Sequence, residues 1–238
     1  MTDVSILAID LAKHSFQVCA VNAEGVVLYN RKYSRGKLSE LLASHPRCLV
    51  AMEACATSHY WGREAQGHGQ DVRLIPPVYV KPFVKRGKND ANDAAAIAVA
   101  VRQPDMRFVA IKSPEQQAQA MLFRTHQTFT RQRSQLLITL RVHLAEHGII
   151  VAKGNAALLA YEDVLEAQPD LVPDLVLEAA RFYFHHIAQI NTTIATFERQ
   201  MRDTAKRDDT ARRLQTMPGI GPISAAAFLA FAPPMESF

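Results

Sequence analysis

VSILAIDLAKHSFQVCAVNAEGVVLYNRKY, residues 4–33, decides the fold class. Residues 4–9 form a short apolar run of strand type. After a break at Lys13 and His14, residues 16–20 resume as a second strand. NAEG at 22–25 is a turn sequence, and residues 26–33 read as a third strand. Three strands in succession with short links form a meander of two hairpins. Outward from it, residues 38–43 fit a short helix and residues 48–52 an apolar strand. Residues 58–66 fit a helix ended by Gly67 and Gly69, and residues 72–75 a further strand stopped by Pro76 and Pro77. The order β-β-β-α-β-α-β predicts an α/β unit in which helices pack on a mixed sheet.

The remainder reads as helical. Residues 91–103 are alanine-rich, with Asp90 as the expected cap and Pro104 as the stop. Residues 107–111 look extended. Pro114 opens a helical stretch to about Gly148, with Leu122, Phe129, Leu136, Leu137, Leu140 and Leu144 recurring at helical spacings. At about 1.5 Å per residue that helix spans roughly 50 Å, too long for one face of a small domain, so an arm of coiled-coil type is expected. A second long helix is predicted over 175–207, with Phe182, Ile187, Ile190, Ile194, Phe197 and Met201 on one stripe, paired with the first as an antiparallel hairpin. MPGIGP at 217–222 before an apolar helix resembles a helix-hairpin-helix turn, whose backbone N–H groups suit a phosphate.

Composition sets outer bounds. Of 238 residues, 48% are hydrophobic and 21% charged, which excludes disorder as the main state. The longest apolar runs are eight residues, at 94–101 and 225–232, and a membrane span needs roughly 20. The start lacks a basic n-region, so no signal peptide is expected. Three cysteines without a CxxC pairing fit a reduced, cytosolic chain without structural zinc. The net charge of +4 is mild but uneven. Residues 81–88 hold four bases and no acid, residues 102–145 seven bases against two acids, and residues 153–178 one base against six acids. The middle of the chain is therefore the part expected to face a polyanion.

Four acids stand out. Asp10 ends the first strand and Glu53 follows the 48–52 strand, while Asp90 and Asp93 share one side of a helical first turn. If the two strands are neighbours, Asp10 and Glu53 lie side by side, and the helix needs only to cross that edge to join them. Four converging carboxylates repel unless divalent cations neutralise them. Oxygen-only ligands select Mg²⁺ or Mn²⁺, and two such ions clamp the attacking and leaving oxygens of a phosphodiester. Taken singly, each acid is also an ordinary turn or first-turn residue. The joint order favours the metal reading. Lys81, Lys85, Arg86 and Lys88, next to the Asp pair, are expected to grip a phosphate backbone. Arg124 and Arg131, seven apart on the long helix, are either a nucleic-acid rail or ordinary exposed charges. His143 and His147 have zinc-like spacing but no third ligand nearby. Tyr60 and Trp61 are expected to pack the 58–66 helix against the sheet.

AIDLAKHSFQVCAV (8–21), AMEACATSHYW (51–61), VRLIPPVYVKPFVKRGKNDANDAAAIAVAV (72–101) and MRFVAIKSPEQQAQAMLFR (106–124) together resemble the DEDD transposases of the one-ten insertion-sequence family, and its eleven-eleven subgroup in particular. LQTMPGIGPISAAAFLA (214–230) resembles the start of that family's second conserved domain. The resemblance covers nearly the whole chain and is weakest over 155–209. It implies an RNase H-like (RuvC-like) domain over 1–112, a helical coiled-coil arm over 113–210 and the beginning of a C-terminal transposase domain over 211–238. It implies a D-E-D-D site at Asp10, Glu53, Asp90 and Asp93 that takes Mg²⁺ or Mn²⁺. It further implies donor and target DNA and an element-encoded non-coding guide RNA as partners, assembly as a homodimer or tetramer, and a bacterial, nucleoid-associated setting without a membrane. The family's nucleophilic serine lies beyond the hairpin, so Ser224 and Ser237 are not assigned that role. The chain is expected to be C-terminally truncated and to lack strand transfer. Two other readings stand beside this one: a stand-alone nuclease using the same carboxylates, and a non-catalytic dimerisation module that holds nucleic acid. An actin-like ATPase wants a glycine-rich turn after its first strand, and Leu11, Ala12 and Lys13 supply none.

Overall fold

A computed structural model describes residues 3–85, 87 and 89–232. The chain divides into two compact units at Ser113/Pro114.

The first unit is built on β1 (Ile6–Asp10), β2 (Ser15–Val21) and β3 (Val27–Ser34), followed by α1 (Arg35–Ser44), β4 (Leu49–Glu53), α2 (Ser58–Gly67) and β5 (Asp71–Ile75). Among the described residues these strands make one sheet in the order β3-β2-β1-β4-β5. β2 runs antiparallel to both β1 and β3, whereas β4 runs parallel to both β1 and β5. This is the mixed sheet with helices expected from residues 4–75, and it is consistent with an RNase H-like α/β fold. The 22–25 turn closes as predicted: Gly25 N donates to Asn22 O at 3.0 Å, and Val26 N donates to Asn22 Oδ1 at 2.8 Å.

Alternation in the strands divides the core in two. Leu7, Ile9, Phe16, Val18, Val50 and Met52 face α1 and α2, where Trp61 meets Phe16 edge-on at 4.9 Å between ring centroids. Ile6, Ala8, Cys19, Val21 and Ala51 face the other way. They are covered by α4 (Asp90–Ala100), reached through the short α3 (Pro77–Val80) and a 3₁₀ turn at Lys81–Phe83. α4 buries Ala94, Ala96, Ile97, Ala98 and Ala100. Side chains this small let its backbone come close to the sheet.

Three details differ from the sequence expectation. The α4 cap is Asn89, whose side chain accepts from Asn92 N at 2.8 Å, and Asp90 is the first helical residue. α4 ends at Ala100, because Arg102 N and Gln103 N bond three residues back, to Val99 O and Ala100 O, and the residue before Pro104 is disfavoured in helical geometry. Trp61 packs as expected, but Tyr60 is 45% exposed, with the Arg35 guanidinium 5.1 Å from its ring centre.

The three cysteines are free, with Cys19 and Cys48 buried and Cys55 exposed. Burial pushes the Cys19 thiol up and the Cys48 thiol up to about 11. Iodoacetamide at pH 8 should therefore add one carbamidomethyl group, at Cys55, to the native chain. Peptide mass mapping checks this, and labelling of Cys48 at a comparable rate would contradict its burial.

The second unit holds α5 (Pro114–Glu146), α6 (Asn155–Leu159), α7 (Tyr161–Ala167), α8 (Asp174–Arg207), α9 (Asp209–Leu214) and α10 (Pro222–Phe231). α5 and α8 pair antiparallel: His126 faces Glu198, Phe129 faces Phe197, Arg133 Nη1 donates to Asn191 Oδ1, and His143 faces Tyr183. The buried stripe of α8 is Leu177, Ala180, Phe184, Ile187, Ile190, Ile194, Met201 and Ala205. Phe182, expected on it, is 69% exposed, and Phe184 takes its place at 2%. Phe184 packs with Leu137, Leu140 and Leu144 of α5 and with Ile149, Val151, Leu158, Leu165 and Val172 from the linking segment. Among the described residues no helix is long and apolar enough to cross a membrane.

Candidate metal and nucleic-acid site

Asp10 and Glu53 are the last residues of β1 and β4, which lie side by side and parallel, with Ile9 opposite Met52. A parallel pair brings both C-terminal ends to one edge of the sheet. The pleat then puts Asp10 on the same face as Ala8, and Glu53 on the same face as Ala51, which is the face α4 covers. α4 meets that edge with its first turn, where Asp90 and Asp93 stand three residues apart.

The electrostatics show Asp10 sensing the other three acids and Glu53 sensing Asp93. The Asp10 carboxyl is pushed up to about 6, first by burial and then by the negative charges of Asp93, Asp90 and Glu53. Glu53 is also pushed up, by burial and then by Asp93, while the Lys81 ammonium pulls it back. Asp90 moves the other way, because Lys32 Nζ lies 2.9 Å from its Oδ2. Among the described residues, no three His, Cys, Asp or Glu side chains stand as a ready-made metal cage. The donor chemistry nonetheless suits a hard divalent cation. Every candidate ligand is a carboxylate oxygen, and the mutual repulsion felt at Asp10 is the charge excess that such an ion would relieve.

The basic segment begins beside this edge. Lys81 lies close enough to act on Glu53, and Lys85 is exposed. Asn92 Nδ2 donates to Gly87 O at 2.7 Å, fastening the segment to the first turn of α4. Arg86 and Lys88 lie outside the described residues. In the second unit, Arg124 and Arg131 are both exposed on α5, and the Arg124 guanidinium sits 5.3 Å from the centre of the Phe231 ring. Ser224 lies in α10, on an apolar hollow of about 510 Å³ with Phe123, Phe228 and Phe231. Ser237 is outside the described residues. His143 and His147 line another hollow with Glu146 and Tyr183, and among the described residues they gather no metal-ligand group there.

Sequence reasoning missed Gln17, Asn30, Lys32 and Asn92, which tie the first turn of α4 to its surroundings. The only advance signal is the alternation of β3, in which Asn30 and Lys32 interrupt a strand whose Tyr29 and Tyr33 point to the opposite core.

A mixed α/β sheet with acids at the adjacent ends of parallel central strands, and an acidic helix start across them, defines an α/β class with carboxylates gathered at one sheet edge. Comparison with known families narrows the class. The model for DEDD transposases of the IS110 family, described as "Transposase", matches residues 7–149. The chain is 39% identical over 238 residues to a probable family 20 transposase of Pseudomonas aeruginosa, covering 99% of this chain and 70% of that one. It is 37% identical to the transposase for insertion sequence element IS1328 of Yersinia enterocolitica, covering 95% and 67%. It is 32% identical to the transposase for insertion sequence element IS1111A of Coxiella burnetii, covering 100% and 66%. The chain belongs to the IS110 family of DEDD transposases, and it spans about two thirds of the length of these curated relatives.

Proposed function

We propose that this chain supplies the metal-binding and nucleic-acid-engaging part of an RNA-guided DNA transposase with an RNase H-like, RuvC-type catalytic domain. One observation carries the reading: a half-buried acid at the end of the central strand, Asp10, is held in the field of three further acids, from β4 and α4. Asp10, Glu53, Asp90 and Asp93 are the residues that would hold Mg²⁺ or Mn²⁺. When bound, such ions supply neutralisation of the charge that develops at a phosphodiester under attack.

The chain's own residues do the rest. The partial burial that pushes Asp10 up weakens, without removing, the screening of its charge by bulk water. Lys81, beside Glu53, and Lys85 offer ammonium groups to backbone phosphates near the acids. Arg86 and Lys88 extend the same basic run. Arg131, exposed on α5, and Arg124, oriented by the Phe231 ring, offer a second line of charge along the helical unit. The antiparallel α5–α8 pair serves as a coiled-coil arm for homodimer or tetramer assembly, in a cytoplasmic, nucleoid-associated setting. The partners are donor DNA, target DNA and a non-coding RNA from the element itself.

The guided part of this reading is tested by filter binding. The purified chain should bind a transcript of the element's non-coding flank more tightly than a shuffled RNA of the same length. Equal affinity for the two RNAs would overturn RNA guidance.

A further inference from the structure

The carboxylates of α4 do not reach the sheet edge by helix packing alone. On β3, Asn30 and Lys32 are two residues apart and so share a face, and both reach the first turn of α4. Lys32 meets Asp90 at 2.9 Å, but this pair is exposed on both sides and holds little. The Asn30 contact is of another kind. Its Nδ2 donates to Ala91 O at 2.8 Å, joining residues 61 apart in the chain at the carbonyl next to Asp90. A carbonyl oxygen only accepts, so Asn30 must present its amide nitrogen there. Its Oδ1 is thereby turned the other way, where Gln17 Nε2 donates to it at 2.6 Å.

Gln17 is itself 5% exposed and stands opposite Asp10 in the β1–β2 register. Having given its nitrogen to Asn30, Gln17 keeps a buried Oε1 with no hydrogen-bond partner among the described residues. An unsatisfied buried acceptor costs stability. The orientation of two amides is thus set in sequence, from the helix carbonyl to Asn30 to Gln17, at a cost that an apolar pair would avoid.

We propose that Asn30, seated by Gln17, is a positioning residue that fixes the first turn of α4, and with it Asp90 and Asp93, relative to Asp10. The inference rests on the metal-site reading above and deepens it. The carboxylates bind the ion, while Asn30 touches neither ion nor substrate and acts through the backbone at Ala91. Partners of this kind, one step behind the ligands, are commonly worth roughly 10- to 100-fold in metal affinity.

The test measures Mn²⁺ affinity of the purified chain by the electron paramagnetic resonance signal of free Mn²⁺. Asn30→Ala should weaken binding by about tenfold. Amide hydrogen exchange over residues 90–95 should quicken, with β1 and β4 unchanged. Leu38→Ala, in the core on the opposite face, serves as the structural control. It should lower the melting temperature and leave the Mn²⁺ affinity of the folded chain unaltered. Should Asn30→Ala not fold, Asn30→Ser, which keeps a shorter donor, should show the same loss in smaller measure. If the asparagine variant behaves like Leu38→Ala, less stable but binding Mn²⁺ as tightly as wild type, the positioning role is overturned and the metal site stands. If the wild-type chain itself binds no Mn²⁺, the metal reading fails and takes the positioning role with it. That outcome is seen before any variant is made.

Discussion

Mg²⁺ or Mn²⁺ should raise the melting temperature of the wild-type chain, and replacing Asp10 by Asn should abolish that rise. Asp10 sits in the field of the other three acids, with its carboxyl pushed up to about 6 by burial, Asp93, Asp90 and Glu53. Asn has the same shape but no charge, so it removes the charge without opening a cavity. A divalent ion that binds only the folded chain stabilises it by mass action, by about 2.7 kcal/mol at a hundred times its dissociation constant. Loss of the central ligand removes that response. A wild-type chain whose melting temperature ignores both ions, or a variant that responds as wild type does, would sink the assignment of Asp10.

The same substitution has an opposite effect in chelator, and the sign follows from linkage. The folded chain holds the Asp10 proton up to about pH 6, whereas an unfolded Asp releases it near 3.8. Between those values the native state binds more protons, so stability falls as pH rises through the window and the loss is complete above it. An amide at this position does not titrate, so the Asp10→Asn variant escapes the loss. Fully buried, the group would cost about 3 kcal/mol at neutral pH. Half-buried and screened by solvent, it costs about 1 kcal/mol. Metal-free Asp10→Asn should therefore melt a few degrees above wild type at pH 7.5 and match it below pH 4. Glu53, pushed up by burial and Asp93, adds to the slope in the same direction.

The legible parts of the fold are those with short periods. The strands of residues 4–33 alternate, and the 22–25 turn is written in residues that close it, so the meander was readable. The adjacency of β1 and β4, on which the pairing of Asp10 and Glu53 depends, joins segments about forty residues apart, and only their apolar character hinted at it. The role of Asn30 was hidden for a sharper reason. A polar residue on a strand looks solvated until the helix that covers it is known, and that helix starts sixty residues later. The cap of α4 was misplaced by one residue because Asn89 and Asp90 are both good N-caps, and only the contact to Asn92 N separates them. Between α5 and α8, Ile149, Val151, Leu158, Leu165 and Val172 recur at no fixed period, so their joint burial could not be seen in the sequence.

Phe184→Ala should cost about 3–5 kcal/mol of stability in the helical unit, whereas Phe182→Ala should stay within about 0.5 kcal/mol of wild type. The two residues have the same chemistry and lie two positions apart on α8, so propensity and composition cannot separate them. Two residues on a helix are about 200° apart, which means one faces the partner helix when the other faces away. Phe184 falls in phase with Leu177, Ala180, Ile187 and Ile194, all buried on α8. It meets Leu137, Leu140 and Leu144 of α5 together with apolar residues of the linking segment. Removing its ring leaves a cavity that two long helices, held in register by Arg133–Asn191 and by the Phe129–Phe197 rings, cannot readily collapse to fill. Phe182, at 69% exposure, has little packing to lose. Urea unfolding followed by helical ellipticity reads both variants. Equal costs for the two, or a Phe184→Ala penalty below about 1 kcal/mol, would mean that the helix pair is rotated from the phase described.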